Sequence, residues 1–218
     1  MALAFDAVAS GQANGTGPFT FSHTTSGANR LLVVGILIHA GGGLTVTAVT
    51  YNGVAMTVIP SSEVIGTYAV SMYSLIAPAS GTNTVSISVS SNAEIGFGSV
   101  SFTGADQTTP FGTANTATGT STTPSVTVSS ATDEIVMDTG ILFHSGTLSV
   151  GANQTSRWSS ISTGGWVKHF GSTEPGDTSV TMSWANTTSQ GWAIAAVPVK
   201  PVSTVSTIRQ LCLTGVGT

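Results

Sequence analysis

The side chains able to do chemistry in this chain are few and widely spaced. Four histidines (His23, His39, His144 and His169), one cysteine (Cys212) and nine carboxylates are spread over 218 residues. A nucleophilic serine needs a positioned base, and many hydrolases carry it in a Gly-x-Ser-x-Gly elbow. That pentapeptide does not occur, and serines are too abundant for one to stand out. Metal sites need His, Cys or carboxylates gathered at short spacing. The acidic groupings, Asp133-Glu134 with Asp138 and Glu174 with Asp177, read instead as turns and solvated strand ends. Glu63, Glu94 and Asp106 show no spacing that supports the carboxylate pair of a glycosidase. The expectation is a non-enzymatic protein with no catalytic residue, metal or cofactor.

Two other groups of residues could bind a partner. Trp158, Trp166, Trp184 and Trp192 all fall in the second half of the chain. Exposed, they would form a sugar platform for a carbohydrate-binding or adhesion module; buried, they would fill the core of that half. Near the C-terminus, Ile208, Leu211 and Leu213 form a small apolar cluster in a tail, residues 201–218, that could dock on a neighbouring subunit or partner. Cys212 lies in the same tail and, being single, forms no intrachain disulfide; a packed small apolar side chain is the expected role.

The elements that would carry these residues are strands. Leu31-Leu32-Val33-Val34-Gly35-Ile36-Leu37-Ile38 is a short apolar run rich in β-branched residues, suited to a strand covered on both faces. It is far below the roughly 20 apolar residues of a membrane span. Glu134 to His144 repeats its ending, Gly-Ile-Leu-Ile-His becoming Gly-Ile-Leu-Phe-His 105 residues on (140 − 35). His39 and His144 then sit at the ends of equivalent central strands, which favours a structural role for both. Gly81 to Ser88 and Gly176 to Ser183 pair at an offset of 95 (176 − 81).

Strand order is thus repeated while loop lengths vary, and no amphipathic helical window of useful length occurs. The predicted fold is all-β, an antiparallel β-sandwich or jelly-roll-like body, internally duplicated into two similar halves of about seven strands. The first half spans residues 1–103, a Gly/Thr-rich connecting segment 104–123, and the second half 124–200. Whether the halves make one body or two is open at this stage. Asn52-Gly53 between two alternating runs predicts a tight hairpin, because both turn positions need positive φ. Gly11 to Pro18 reads as a loop between short strands at Phe5–Val8 and Phe19–His23.

Charged residues make up 6% of the chain and the net charge is −4, against roughly 25% charged in ordinary soluble domains. With five Lys and Arg there is no basic patch for phosphates or anionic lipids, so neither nucleic acid nor membrane is an expected partner. Exposed sheet edges are normally blunted by charge. So little is present here that the edges are expected to be covered by other subunits.

Several segments taken together resemble a known module. They are Asn29-Arg30-Leu31-Leu32-Val33-Val34-Gly35, Val49-Thr50-Tyr51-Asn52-Gly53-Val54-Ala55-Met56, Val100 to Phe111, and Gly171-Ser172-Thr173-Glu174-Pro175-Gly176. Over roughly residues 18 to 200 the chain resembles a β-sandwich module of tailed-phage virion proteins and modular bacterial surface proteins. The resemblance implies a display or capping module without catalytic residues. A chain that begins at Met1 with no signal peptide and ends soon after the module is then expected to be a free-standing virion component. That would be a capsid-decorating (cement or accessory) protein of a bacteriophage, bound to the capsid or another virion protein as a homo-oligomer, with a trimer favoured. The cell surface is the alternative location, for the adhesion reading.

Overall fold

A computed structural model of the chain describes residues 2–39 and 44–203. The described residues are all-β, with antiparallel pairing throughout and no helix. The first half contains β1 (Ala4–Gly15), β2 (Phe19–Thr25), β3 (Leu31–His39), β4 (Val46–Tyr51), β5 (Val54–Ala55), β6 (Thr57–Val58), β7 (Tyr68–Ile76), β8 (Gly81–Val89) and β9 (Ala93–Thr103). The second contains β10 (Asn115–Ser121), β11 (Ser125–Val128), β12 (Ile135–Phe143), β13 (Leu148–Val150), β14 (Thr155–Ile161), β15 (Val167–Pro175), β16 (Val180–Asn186) and β17 (Gln190–Val199).

Each half is a sandwich of a five-stranded inner sheet and a smaller outer one. The inner orders are β1-β9-β3-β7-β6 and β10-β17-β12-β15-β14; the outer orders are β2-β8-β4-β5 and β11-β16-β13. The inner orders match strand for strand, with β6 standing where β14 stands, and the outer orders match except that β5 has no counterpart in the second half. The duplication is therefore topological as well as sequential.

The halves form one body, because the two inner sheets pack face to face and give a four-layered stack. Residues of β3 explain how. Leu32, Val34, Ile36 and Ile38 face the outer sheet of their own half, while Leu31, Val33 and Leu37 join a core that also contains Met137, Ile141, Ala193, Ala195 and Val197 of the other half. A strand buried on both faces has no polar alternation to show, hence its unbroken apolar run.

The central repeat is off by one residue from the match in the letters. Leu31 pairs with Ile76 and Phe102, and Ile135 occupies the same place between Pro175 and Val199, an offset of 104 (135 − 31). At the 105 of the matching letters, every side chain would be on the wrong face. Ile36 lies inside its own sandwich, but Ile141 lies between the halves. The true counterpart of Gly35 is Thr139, and the two meet across the interface: a Cβ on Gly35 would stand 2.5 Å from Thr139 Oγ1.

Three further expectations are corrected. The Gly11–Pro18 loop is mostly strand, since β1 runs to Gly15; Gly11 is there because the Phe97 ring lies against it, 2.6 Å from where a Cβ would be. The 104–123 segment is not simply a crossing, because β10 pairs with β17 from Asn115↔Ala196 to Ser121↔Gln190. Its Asn/Thr/Ala/Gly sequence lacks the large apolar residues that would signal a strand. The halves hold nine and eight strands rather than about seven.

The Asn52-Gly53 turn is as expected, with φ of 49° and 75°, and joins Tyr51 to Val54. The run after it splits at Met56: β5 stays in the outer sheet and β6 crosses to the inner one.

Candidate functional site

The strands run between two poles. At one lie the first and last described residues, where Ala105 bridges Pro201 and Val202 N donates to Gly104 O. At the other lie the C-terminal ends of β3 and β12 and the starts of β7, β9, β15 and β17. This loop pole holds His39, Tyr68, Glu94 and Trp166.

His39, the last residue of β3, pairs with Tyr68 and Glu94 on the flanking strands. Its Nδ1 is 3.5 Å from Glu94 Oε2, and its ring stacks on Tyr68 with centroids 5.8 Å apart. Glu94 Oε1 accepts a 2.7 Å hydrogen bond from Gly164 N in the β14–β15 turn of the other half. Burial raises the Glu94 pKa, but the hydrogen bonds from Ser162, Gly164 and His39 outweigh it and hold the carboxyl below its ordinary value. One carboxylate thus ties the two halves together at this pole.

The turn it holds presents Trp166. Ser162 Oγ accepts from Trp166 N and Val167 N, Gly165 N donates to Ser162 O, and Gly165 takes a φ of 75°. The backbone is fixed, and the indole is left 58% exposed beside the end of β14, where Ile161 is also exposed.

The other three tryptophans are interior, so the four do not form a platform. Trp158 is wedged between Gly98 of the first half and Gly171 of the second. Trp184 lies tilted against Phe170, 4.7 Å between centroids, and its Nε1 donates to Asp138 Oδ2 at 2.8 Å. Trp192 is 8% exposed and donates to Ser121 Oγ. Large rings go where the most apolar area can be buried. Ile208, Leu211 and Leu213 lie outside the described residues. His144 follows the last residue of β12, its N–H bound to Trp166 O; at the offset of 104 the counterpart of His39 is Phe143, so the expected equivalence of the two histidines is corrected.

Two polar clusters lie wholly or partly inside, and Asp138, expected at a turn or solvated strand end, is fully buried in the middle of β12 in one of them. In the first half Ser99 Oγ is 2.7 Å from His23 Nδ1, and Asp6 accepts from Ser26 N, Ser26 Oγ and Ser101 Oγ. The residue types are those of a hydrolytic triad, but Asp6 orients serines and not the imidazole. Ser99 and His23 are 0% and 1% exposed, with no room for a substrate at the hydroxyl. Burial lowers the His23 pKa to about 4, against the pull of Asp6.

In the second half the fully buried Asp138 accepts from Ser172 N at 2.5 Å, Ser172 Oγ and Trp184 Nε1. Burial raises its pKa to about 7 against those donors. Gln154 continues the network, donating to Ser172 Oγ and accepting from Ser183 N. In sequence Asp138 differs from its apolar neighbours, the only available signal of an interior polar partner. The arrangement satisfies buried polar groups and fixes the sandwich register.

At the inner interface His169 is 0% exposed, packed over Gly96, and neither ring nitrogen has a partner. Burial lowers its pKa to about 4; Glu94 opposes this and His39 adds to it. Among the described residues no group of three or more His, Cys, Asp or Glu could hold a metal ion.

No family model, curated protein or solved structure matches the chain.

Proposed function

We propose that this chain is a non-enzymatic structural protein of a virus particle, a bacteriophage capsid-decorating protein that sits on the shell as a homo-oligomer. The supporting observation is the outer edge of β1. It is an edge strand of the inner sheet, and from Ala7 to Gly15 it carries no charge, no proline and, beyond the irregularity at Asp6, no bulge. Val8 on it is 41% exposed. An edge so long and neutral is a template for pairing with another chain unless a companion covers it.

In this reading the pole of Ala105 and Pro201 faces the shell and the loop pole faces outward. The test is mass by light scattering, together with co-sedimentation with empty tailed-phage shells, for the full chain and for a chain lacking residues 204–218. Oligomers that co-sediment, with occupancy lost on truncation, support the reading. A monomer that leaves every shell bare refutes it.

The exposed, rigidly held Trp166 favours a second reading, surface adhesion to glycans. Trp166→Ala would then abolish binding on a glycan array.

A further inference from the structure

The two inner sheets do not close against each other at the loop pole. On the side where β7 lies over β17, the short β6 pairs only with Ser74 and Tyr73 of β7. The start of β7 is bordered instead by the loop carrying Val64, which bridges Val70, and Ile65. Below it β10 continues to Ser121. Between them is an open cleft of about 390 Å³, with Ile65 and Tyr68 on one wall and Thr118, Thr120 and Gly191 on the other. That volume is within the usual range of small-molecule sites, roughly 300–1,000 Å³.

Its surface chemistry is specific. No lining residue is charged. Thr118 and Thr120 alternate along β10, so their hydroxyls share one exposed face. The Tyr68 ring is set in place by bare backbone. A Cβ on Gly191 would lie 2.7 Å from Tyr68 Cε2. Tyr68 is further backed by the His39 ring. The Trp192 ring lies over Gly119 on the opposite face of the sheet, in the core of the second half, and takes no part in the cleft's recognition surface. A ring fixed before a ligand arrives loses little entropy on binding.

We propose that this cleft binds a neutral carbohydrate, one sugar ring lying on the Tyr68 side and its hydroxyl groups bonding Thr118 and Thr120. An aromatic wall beside paired hydroxyls, with no ion, suits a ring that has both C–H faces and O–H edges. A nucleotide or acidic glycan would bring phosphate or carboxylate charge that nothing here neutralises. The site is distinct from the Trp166 turn and stands independently of the virion reading.

The experiment is an array of neutral and acidic oligosaccharides, followed by calorimetric titration of the strongest neutral binder. Titrations use the full chain, Tyr68→Ala, Thr118→Val with Thr120→Val, and Trp166→Ala. The expected result is neutral binders only, at least tenfold weaker with Tyr68→Ala and with the double threonine variant, and unchanged with Trp166→Ala. The threonines are exposed, so their variant stays informative if Tyr68→Ala does not fold. No neutral binder, preference for acidic glycans, or full affinity in the threonine variant would each overturn the proposal. So would loss of binding in Trp166→Ala alone, which would move the sugar to the Trp166 turn.

Discussion

His169 makes the inner interface acid-sensitive by an amount that can be worked out. Its imidazole is buried between the halves without a hydrogen bond to either nitrogen, and its pKa falls from 6.5 to about 4 through burial, with Glu94 raising it and His39 lowering it. Because the folded-state pKa lies below the unfolded one, the neutral ring's contribution is intact above about pH 6.5. It is lost as the pH falls toward about 4, where the unfolded chain takes up a proton that the folded one refuses. A depression of this size corresponds to about 3 kcal/mol between pH 7 and pH 4, a sizeable share of a typical domain stability of about 5–15 kcal/mol.

His169→Leu removes the titrating group and keeps an apolar side chain over Gly96. Urea unfolding followed by tryptophan fluorescence, at steps from pH 7 to pH 4, gives the stability of both proteins. The quantity to follow is the difference between them, because the opposite contribution of Asp138 is common to both. Asp138, raised to about 7, favours the folded state as the pH falls. The variant is expected to gain on the parent by about 3 kcal/mol over this range. Parallel stability curves, differing by a constant at every pH, would refute the reasoning.

Two further outcomes follow from the packing. Gly98→Ala drives a methyl to within 2.3 Å of the Trp158 indole, which is already held by Gly171 on its other side. Chemical unfolding should show a loss of about 1–3 kcal/mol from overpacking, with near-UV circular dichroism of Trp158 altered. Gly53→Ala meets no atom within 4 Å but must adopt a φ of 75°. Its cost should therefore be the backbone conformation alone, about 1 kcal/mol, with unchanged spectra in the same assay.

Much of this architecture was legible in the letters because its cause is local. Alternating Val85, Ile87 and Val89 put one face of β8 inward, and Asn52-Gly53 fixed a turn by its φ requirement. The unbroken Leu31–Ile38 run announced burial on both faces. Composition alone gave the near-neutral exterior.

What the letters could not carry depends on partners distant in sequence. The match of Gly-Ile-Leu at 105 residues was a coincidence of letters, and only pairing to β7 and β9, and to β15 and β17, set the register at 104. β10 is a strand because β17 is beside it, and Trp158 is interior because two glycines from different halves leave it room. The cleft between Tyr68 and the Thr118–Thr120 face, and the His39–Glu94–Gly164 tie, join groups from segments far apart in the chain. Neighbours along the sequence determine periodicity and turns. Facing sheets decide which side chains meet, since their contacts are selected by close packing between layers and not by spacing in the chain.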